Sequence, residues 1–522
     1  MDNGDINLKP SRRSFAKAIL AAPFLARAQQ ALTRARITVD TNRVIGDIDP
    51  KIYGNFIEHL GRCIDGGVFQ EGSRLSDANG YRKDVFSAAK DLHVGLLRWP
   101  GGNFSSNYHW QDGIGPRGQR PPRLEMAWGA IESNRFGTHE FLQYTDMLGA
   151  EPYICVNLGT GTWAEAQQWV EYCNFAGDTG VTRIRKQNGR PQPWKVAYWG
   201  LGNEIDGPWQ MGHRSADDYG KFALEAAKLM KLTDPNIKLI AAGSSNYGAG
   251  SDWTGWNRTI LEYLRRHADY LSLHLYVGNP ENNFGEFMAS SVELDERTKT
   301  AEGIISAALS SEPRDRRIYV AWDEWNVWYR ARGADQRGRN ILEERYNLED
   351  ALVVSTFLNS FVNHSNVVKI ANMAQLVNVI APIFTNDTGM FLQTIYYPLQ
   401  LFATYAKGKS LDLLSDGPRY MTRRFGDVPY LDTSAALDNG TLILNVTNRH
   451  PSQAVAADIN LADKQFSGAV TVMEVNGPDI KAENDFNATR VKTVQKTVSA
   501  QGKSFAYSFP AHSFTMLQIK LG

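Results

Sequence analysis

The sequence predicts an α/β fold, a (β/α)8 TIM barrel followed by an antiparallel β-sandwich of jelly-roll-like form. Three observations predict it. Eight short apolar runs recur between residues 52 and 376, helix-period segments lie between them, and after about residue 395 the helical pattern gives way to short alternating runs. Most of the eight runs are near-continuously hydrophobic, as strands of a parallel sheet covered on both faces should be, whereas alternation marks a sheet with one wet face.

In chain order the runs are IYGNFIEH (52–59), VGLLRWPGG (94–102), EPYICVNLG (151–159), VAYWGLGNE (196–204), KLIAAGSS (238–245), YLSLHLY (270–276), IYVAWDEW (318–325) and VVKIANMAQL (367–376). Between them lie segments such as ADDYGKFALEAAKLMKLT (216–233) and WNRTILEYLRRHA (256–268), whose apolar residues recur at helical spacing. This is the sequence picture of a barrel of alternating strands and helices. Farther on, TLILNVTNR (441–449) and AVTVMEVNG (469–477) alternate apolar and polar residues between turn signals, which predicts antiparallel strands. ARITVDTN (35–42) alternates in the same way but precedes the barrel and has no place in it. We therefore expect residues 49–395 to form the barrel, 396–522 the sandwich, and 29–48 to carry a strand that joins the sandwich.

Residues 1–28 read as a twin-arginine-type signal peptide. SRRSFAK (11–17) precedes the apolar run AILAAPFLA (18–26), and Ala26-Arg27-Ala28 offers a small-residue cleavage site. The expectation is a secreted protein, periplasmic or extracellular. No later segment reaches about 18 uninterrupted apolar residues, so no membrane span is expected.

Lys plus Arg and Asp plus Glu both number 56 in this chain of 522 residues, which gives no electrostatic case for nucleic acid or an anionic membrane as partner. An uncharged partner fits better, and 13 Trp and 21 Tyr are a rich supply for stacking on sugar faces. Cys63, Cys155 and Cys173 make an odd set without C-x-x-C spacing, so neither a disulfide framework nor a zinc site is indicated. No G-x-G-x-x-G or Walker pattern opens a helix after a strand, no H-E-x-x-H is present, and the histidines are scattered, so we expect no cofactor and no catalytic metal.

The chemistry concentrates at two strand ends. Glu204 stands in GLGNEIDGPWQ (200–210) and Glu324 in VAWDEWNVWY (320–329), each behind a strand-like run. They are much too far apart in sequence for one local motif, and a closed barrel, which gathers its catalytic groups at the C-terminal ends of its strands, would bring them together. Gly101 and Gly102, after Arg98, Trp99 and Pro100, permit either an unusual backbone path that points Asn103 inward or a mere tight turn.

Taken with IYGNFIEHLGRCIDGGV (52–68), LLRWPGGNFSSNYHWQDGIGP (96–116), WGAIESNRFGTHEF (128–141), LSLHLYVGN (271–279) and NMAQLVNVIAPI (372–383), these motifs resemble the family 51 α-L-arabinofuranosidases over nearly the whole chain after residue 28. That family comprises retaining glycoside hydrolases with an acid/base after strand 4 and a nucleophile after strand 7. The resemblance implies that Glu204 is the acid/base and Glu324 the nucleophile. It implies that Glu58 and Asn103 bond sugar hydroxyls, that Asn203 holds the 2-hydroxyl, that Tyr276 touches the nucleophile and that Gln375 closes the subsite. The residues alone leave other readings open: Glu58 could pair with Arg98, and Tyr276 and Gln375 could be satisfied core polar groups. His274 and Trp328 are expected near the site without an assigned role. The implied substrate is an arabinofuranosyl-containing oligo- or polysaccharide cleaved from its non-reducing end, and the implied assembly is a homo-oligomer. Another retaining glycosidase on this scaffold, such as a β-D-galactofuranosidase, or a carbohydrate-binding protein without turnover, is the alternative.

Overall fold

A computed structural model describes residues 33–248, 250–332 and 338–522; the twin-arginine segment, residues 1–28, lies outside the described residues. Eight parallel strands close into a barrel: β1 Gly54–Phe56, β2 Leu96–Trp99, β3 Glu151–Cys155, β4 Tyr198–Leu201, β5 Lys238–Ala241, β6 Tyr270–Val277, β7 Tyr319–Val327 and β8 Val368–Ala374. Each pairs with the next, and β8 pairs with β1. Each of the eight apolar runs supplies one strand.

The barrel interior is solid. Leu96, Tyr153, Ile240, Tyr270, Ala321 and Ile370, from six different strands, pack on one another as a cluster separate from the main core. The main core is the outer layer, where helices cover the strands. The helix Ala216–Thr233 shows how sequence sets this layer: Ser215 caps it by accepting from the Asp218 N–H, and Tyr219, Ala223, Ala226, Ala227 and Met230 form its buried stripe. Asp234 ends it directly before Pro235, whose ring disfavours helical backbone in the residue ahead.

The second region is two sheets. One has the order Leu414–Asp416, Ala35–Val39, Val455–Leu461, Ser504–Phe509; the other contains seven strands, from Val44–Asp47 through Thr441–Asn448 to Lys492–Gly502. The pairings are antiparallel except that Ala35–Val39 runs parallel to Val455–Leu461. Ala35, Ile37 and Val39, like Val455, Ala457, Ile459 and Leu461, are the buried alternate positions of their strands.

One helix, Leu348–Asn363, is buried on almost every side because it serves both regions. It packs on β7 and on four strands of the larger sheet. Its polar side chains meet partners there: Ser355 and Thr447 share a hydrogen bond of 2.7 Å, and the Asn359 amide donates to Asp432 Oδ1 at 2.6 Å and accepts from Ser434 Oγ at 2.7 Å.

Candidate active site

Glu204 lies three residues beyond the end of β4, and its backbone is left-handed, with φ of 47°. A non-glycine residue persists there only where its surroundings hold it. Its two carboxylate oxygens have different partners. Oε1 faces His274 Nδ1 at 2.9 Å, and Oε2 accepts from Trp209 Nε1 at 2.7 Å. Glu324 lies within β7 and is 4% exposed. Its Oε1 accepts from Arg98 Nη1 at 2.6 Å and its Oε2 from the Tyr276 hydroxyl at 2.9 Å.

Consecutive strand residues normally face opposite ways, yet Asp323 and Glu324 both face the barrel interior. The cause is a slip in register: Ser272 of β6 pairs with Ala321 of β7, but His274 pairs with Glu324, so β7 carries one extra residue across this stretch. Asp323 therefore accepts from the Tyr153 hydroxyl at 2.7 Å and from Ser272 Oγ, while its neighbour reaches the mouth of the barrel.

Charge in the pocket is balanced by Arg98 and His274. Burial opposes charge on both, and the carboxylates around them overcome it, so each is held well above its ordinary pKa, Arg98 by Asp323 and Glu324 and His274 by Glu324, Asp323 and Glu204. Burial likewise works to raise the Asp323 carboxyl, but Arg98, His274 and Ser272 hold it at about 2. Burial and the two catalytic-candidate carboxylates push the Tyr276 phenol well above its usual value, which keeps it a donor. Glu204, His274 and Glu324 each offer an atom within 4.8 Å of the others, a spacing that could hold a cation. An imidazolium between two carboxylates already supplies that positive charge.

The other expected residues line the same space. Glu58 is 3% exposed; its Oε1 accepts from the Phe104 N–H at 3.0 Å and Trp128 Nε1 at 3.2 Å, and its Oε2 from Gln375 Nε2 at 2.9 Å. It does not pair with Arg98, whose nitrogens go to Glu324, to Asn203 Oδ1 at 2.6 Å and to the Asp323 carbonyl. Burial pushes the Glu58 carboxyl up to about 8. Asn203 Nδ2 and Gln375 Oε1 are buried without a hydrogen-bond partner among the described residues, so a donor and an acceptor stand ready in the pocket. Asn103 opens a short 3-10 turn, half-buried, and its amide makes no hydrogen bond to the described residues. The glycines before it have a plain cause: a Cβ on Gly102 would sit 2.6 Å from Glu58 Oε2, and one on Gly101 3.1 Å from Oε1.

Trp128, Trp209 and Asp323 join the site without having been expected. Trp209 stands within the GPWQ part of the Glu204 motif, and Asp323 directly precedes Glu324, so sequence proximity was the available signal. Trp328 packs edge-on against Tyr276, with ring centres 5.4 Å apart.

Comparison with known proteins identifies relatives over most of the chain. The profile "Alpha-L-arabinofuranosidase 1 domain" matches residues 88–296, and "Alpha-L-arabinofuranosidase C-terminal domain" matches 323–513. A Bacillus subtilis protein named intracellular exo-alpha-(1->5)-L-arabinofuranosidase 1 is 40% identical, covering 88% of this chain and 93% of its own. Alpha-L-arabinofuranosidase C of Emericella nidulans is 40% identical over 93% of this chain and 97% of its own. The crystal structure of an alpha-L-arabinofuranosidase from Thermotoga maritima in complex with arabinose superposes with a TM-score of 0.85 at 38% identity, over 93% of this chain and all of that one. The expectation of export is corrected by these names. Relatives from Bacillus subtilis, Halalkalibacterium halodurans and Acetivibrio thermocellus are all named intracellular. Two arginines before an apolar run are a short pattern, and such a signal is an address read by a receptor rather than a property of the fold, so it weighs less than the relatives.

Proposed function

The chain belongs to the family 51 α-L-arabinofuranosidases of the glycoside hydrolases, and from that premise we propose how its residues divide the work: Glu324 is the nucleophile, Glu204 is the acid/base, and Glu58, Asn103, Asn203, Tyr276 and Gln375 bind the sugar. The enzyme is a retaining, exo-acting α-L-arabinofuranosidase that hydrolyses terminal non-reducing α-L-arabinofuranosyl residues by double displacement. One observation supports this pair of carboxylates: Glu204 and Glu324 approach within 4.8 Å across His274, close to the separation of about 5 to 5.5 Å at which one carboxylate can attack the anomeric carbon directly, and the family resemblance assigns which of the two attacks.

In the first step a Glu324 oxygen bonds to the anomeric carbon, the glycosidic bond breaks, and its electron pair stays on the leaving oxygen, which takes the proton of Glu204. In the second step Glu204 takes a proton from water as that water attacks the anomeric carbon and Glu324 departs as a carboxylate. Arg98 and Tyr276 orient the attacking carboxylate from opposite oxygens. The unpartnered Asn203 amide suits the 2-hydroxyl, and Glu58, Gln375 and Asn103 suit the remaining hydroxyls. Glu58, carrying its proton at neutral pH, can donate to the sugar as well as accept. The natural substrate is proposed to be an arabinose-bearing hemicellulose or pectic side chain, and the working form a homo-oligomer, as the family resemblance implies. Proton NMR of the reaction mixture tests the roles: arabinose should appear first as the α-anomer, and first appearance of the β-anomer would remove Glu324 as nucleophile.

A further inference from the structure

Trp209 is 51% exposed, and no other aromatic side chain among the described residues exceeds it. An indole in that position fills no core, and its one hydrogen bond is to Glu204 Oε2. The loop is built to deliver it there. The Gly207 N–H bonds to the Glu204 carbonyl at 2.8 Å and the Gln210 N–H to the Gly207 carbonyl at 3.0 Å, two tight turns that fold residue 209 back over residue 204. Gly207 leaves the space the ring occupies, since a Cβ there would meet the indole Cε2 and Cζ2 at 2.4 and 2.5 Å.

The partners of Glu204 then fix where its proton sits. Both nitrogens of His274 face carboxylate oxygens, Nδ1 toward Glu204 and Glu324 and Nε2 toward Asp323, so the ring donates from both sides. Oε1 is thereby an acceptor, and the carboxyl hydrogen belongs on Oε2. An indole nitrogen can only donate. Oε2 therefore accepts the indole hydrogen on one lone pair while its own hydrogen is turned elsewhere, toward the open side of the pocket.

We propose that Trp209 is a positioning residue for the acid/base, its indole N–H orienting the Glu204 Oε2 proton toward the leaving glycosidic oxygen. The inference rests on the reading of Glu204 as acid/base. In the step concerned, the Oε2 proton moves to the glycosidic oxygen as the bond from that oxygen to the anomeric carbon breaks; the bonding pair stays on the oxygen, and Glu204 is left as a carboxylate. The indole N–H remains bonded to it throughout and is not consumed.

Leaving-group dependence separates this role from that of a stacking platform. Trp209→Phe keeps a ring and removes the donor. Gly207→Ala keeps the tryptophan and displaces it. Both variants, with Glu204→Ala and the Trp209→Phe/Glu204→Ala pair, are assayed on arabinofuranosides of 2,4-dinitrophenol and phenol and on an arabino-oligosaccharide. Each single loop variant should lose about tenfold in kcat/KM on the phenyl glycoside and the oligosaccharide and less than about twofold on the dinitrophenyl glycoside, because general acid help matters only to poor leaving groups. In the Glu204→Ala background Trp209→Phe should change nothing. Equal loss on good and poor leaving groups in Trp209→Phe, or an undiminished effect without Glu204, overturns the proposal. If Glu204→Ala itself loses equally on every leaving group, it is the acid/base reading that falls.

Discussion

Asn203 shows how one residue can be both anchor and probe. Arg98 donates to its Oδ1, which fixes which end of the amide faces away, and Nδ2 is left buried and unpartnered toward the pocket. If Nδ2 holds the 2-hydroxyl, Asn203→Ala should lower kcat/KM by about 10- to 100-fold, the scale of one hydrogen bond in a dry site. A 2-deoxy substrate should suffer a similar loss with the native enzyme and little further loss with the variant, and additive losses would place the amide elsewhere. Glu324→Ala should reduce kcat by several orders of magnitude on every substrate, and more than about a tenth of native kcat would contradict its role. At this scale Glu204 and Glu324 were legible because each sits in a long, ordered set of motifs. His274 was visible as a neighbour but not as a bridge, since nothing in LSLHLY says that one nitrogen will fall between two carboxylates contributed by other strands.

Among the elements, β7 departs furthest from what its sequence suggests. A regular strand points successive side chains to opposite faces, which would turn Asp323 away from Glu324; the extra residue that brings both inward depends on pairing with β6, which no local pattern encodes. The same holds for the hairpin of Arg123–Glu125 and Ala130–Glu132, whose turn is tied by Glu125 to the N–H groups of Ala127 and Trp128 and which carries Trp128 to Glu58. Glu58 thus joins β1, the loop after β2, this hairpin and the end of β8, and its proton enters the stability of that junction. Its pKa is raised from 4.5 to about 8 by burial, so between those values the folded chain holds a proton the unfolded chain has released. The contribution is full below about pH 4.5, falls as pH rises through this window and levels off above about 8, on the order of a few kcal/mol. Denaturant titrations of native and Glu58→Gln protein should show the variant gaining stability relative to native as pH rises from 5 to 8, and parallel pH profiles would refute the assignment.

For the whole molecule, barrel and sandwich share the buried helix Leu348–Asn363, and neither can shed it without exposing apolar surface. Calorimetry should therefore show one cooperative transition, and two resolved transitions would mean that the helix is not a shared core. Asn359→Ala removes the donor to Asp432 Oδ1 and the acceptor of the Ser434 hydroxyl, and should cost about 1 to 3 kcal/mol with activity per folded molecule unchanged. Eight strands and the change of pattern near residue 395 made the architecture legible, since period and run length depend on burial alone. That Ala35–Val39 would run parallel to Val455–Leu461 was not legible, because direction is set by partners hundreds of residues away. Barrel closure brings Glu204 and Glu324 within 4.8 Å of each other, and Glu204→Ala assayed with azide on an activated aryl arabinofuranoside tests their proposed roles most directly. The predicted result is a burst of phenol, a slow steady state, and restoration of turnover by azide with formation of an arabinofuranosyl azide of retained, α configuration. No burst and no rescue, or an azide of inverted configuration, would contradict a glycosyl-enzyme on Glu324 with Glu204 as its acid/base.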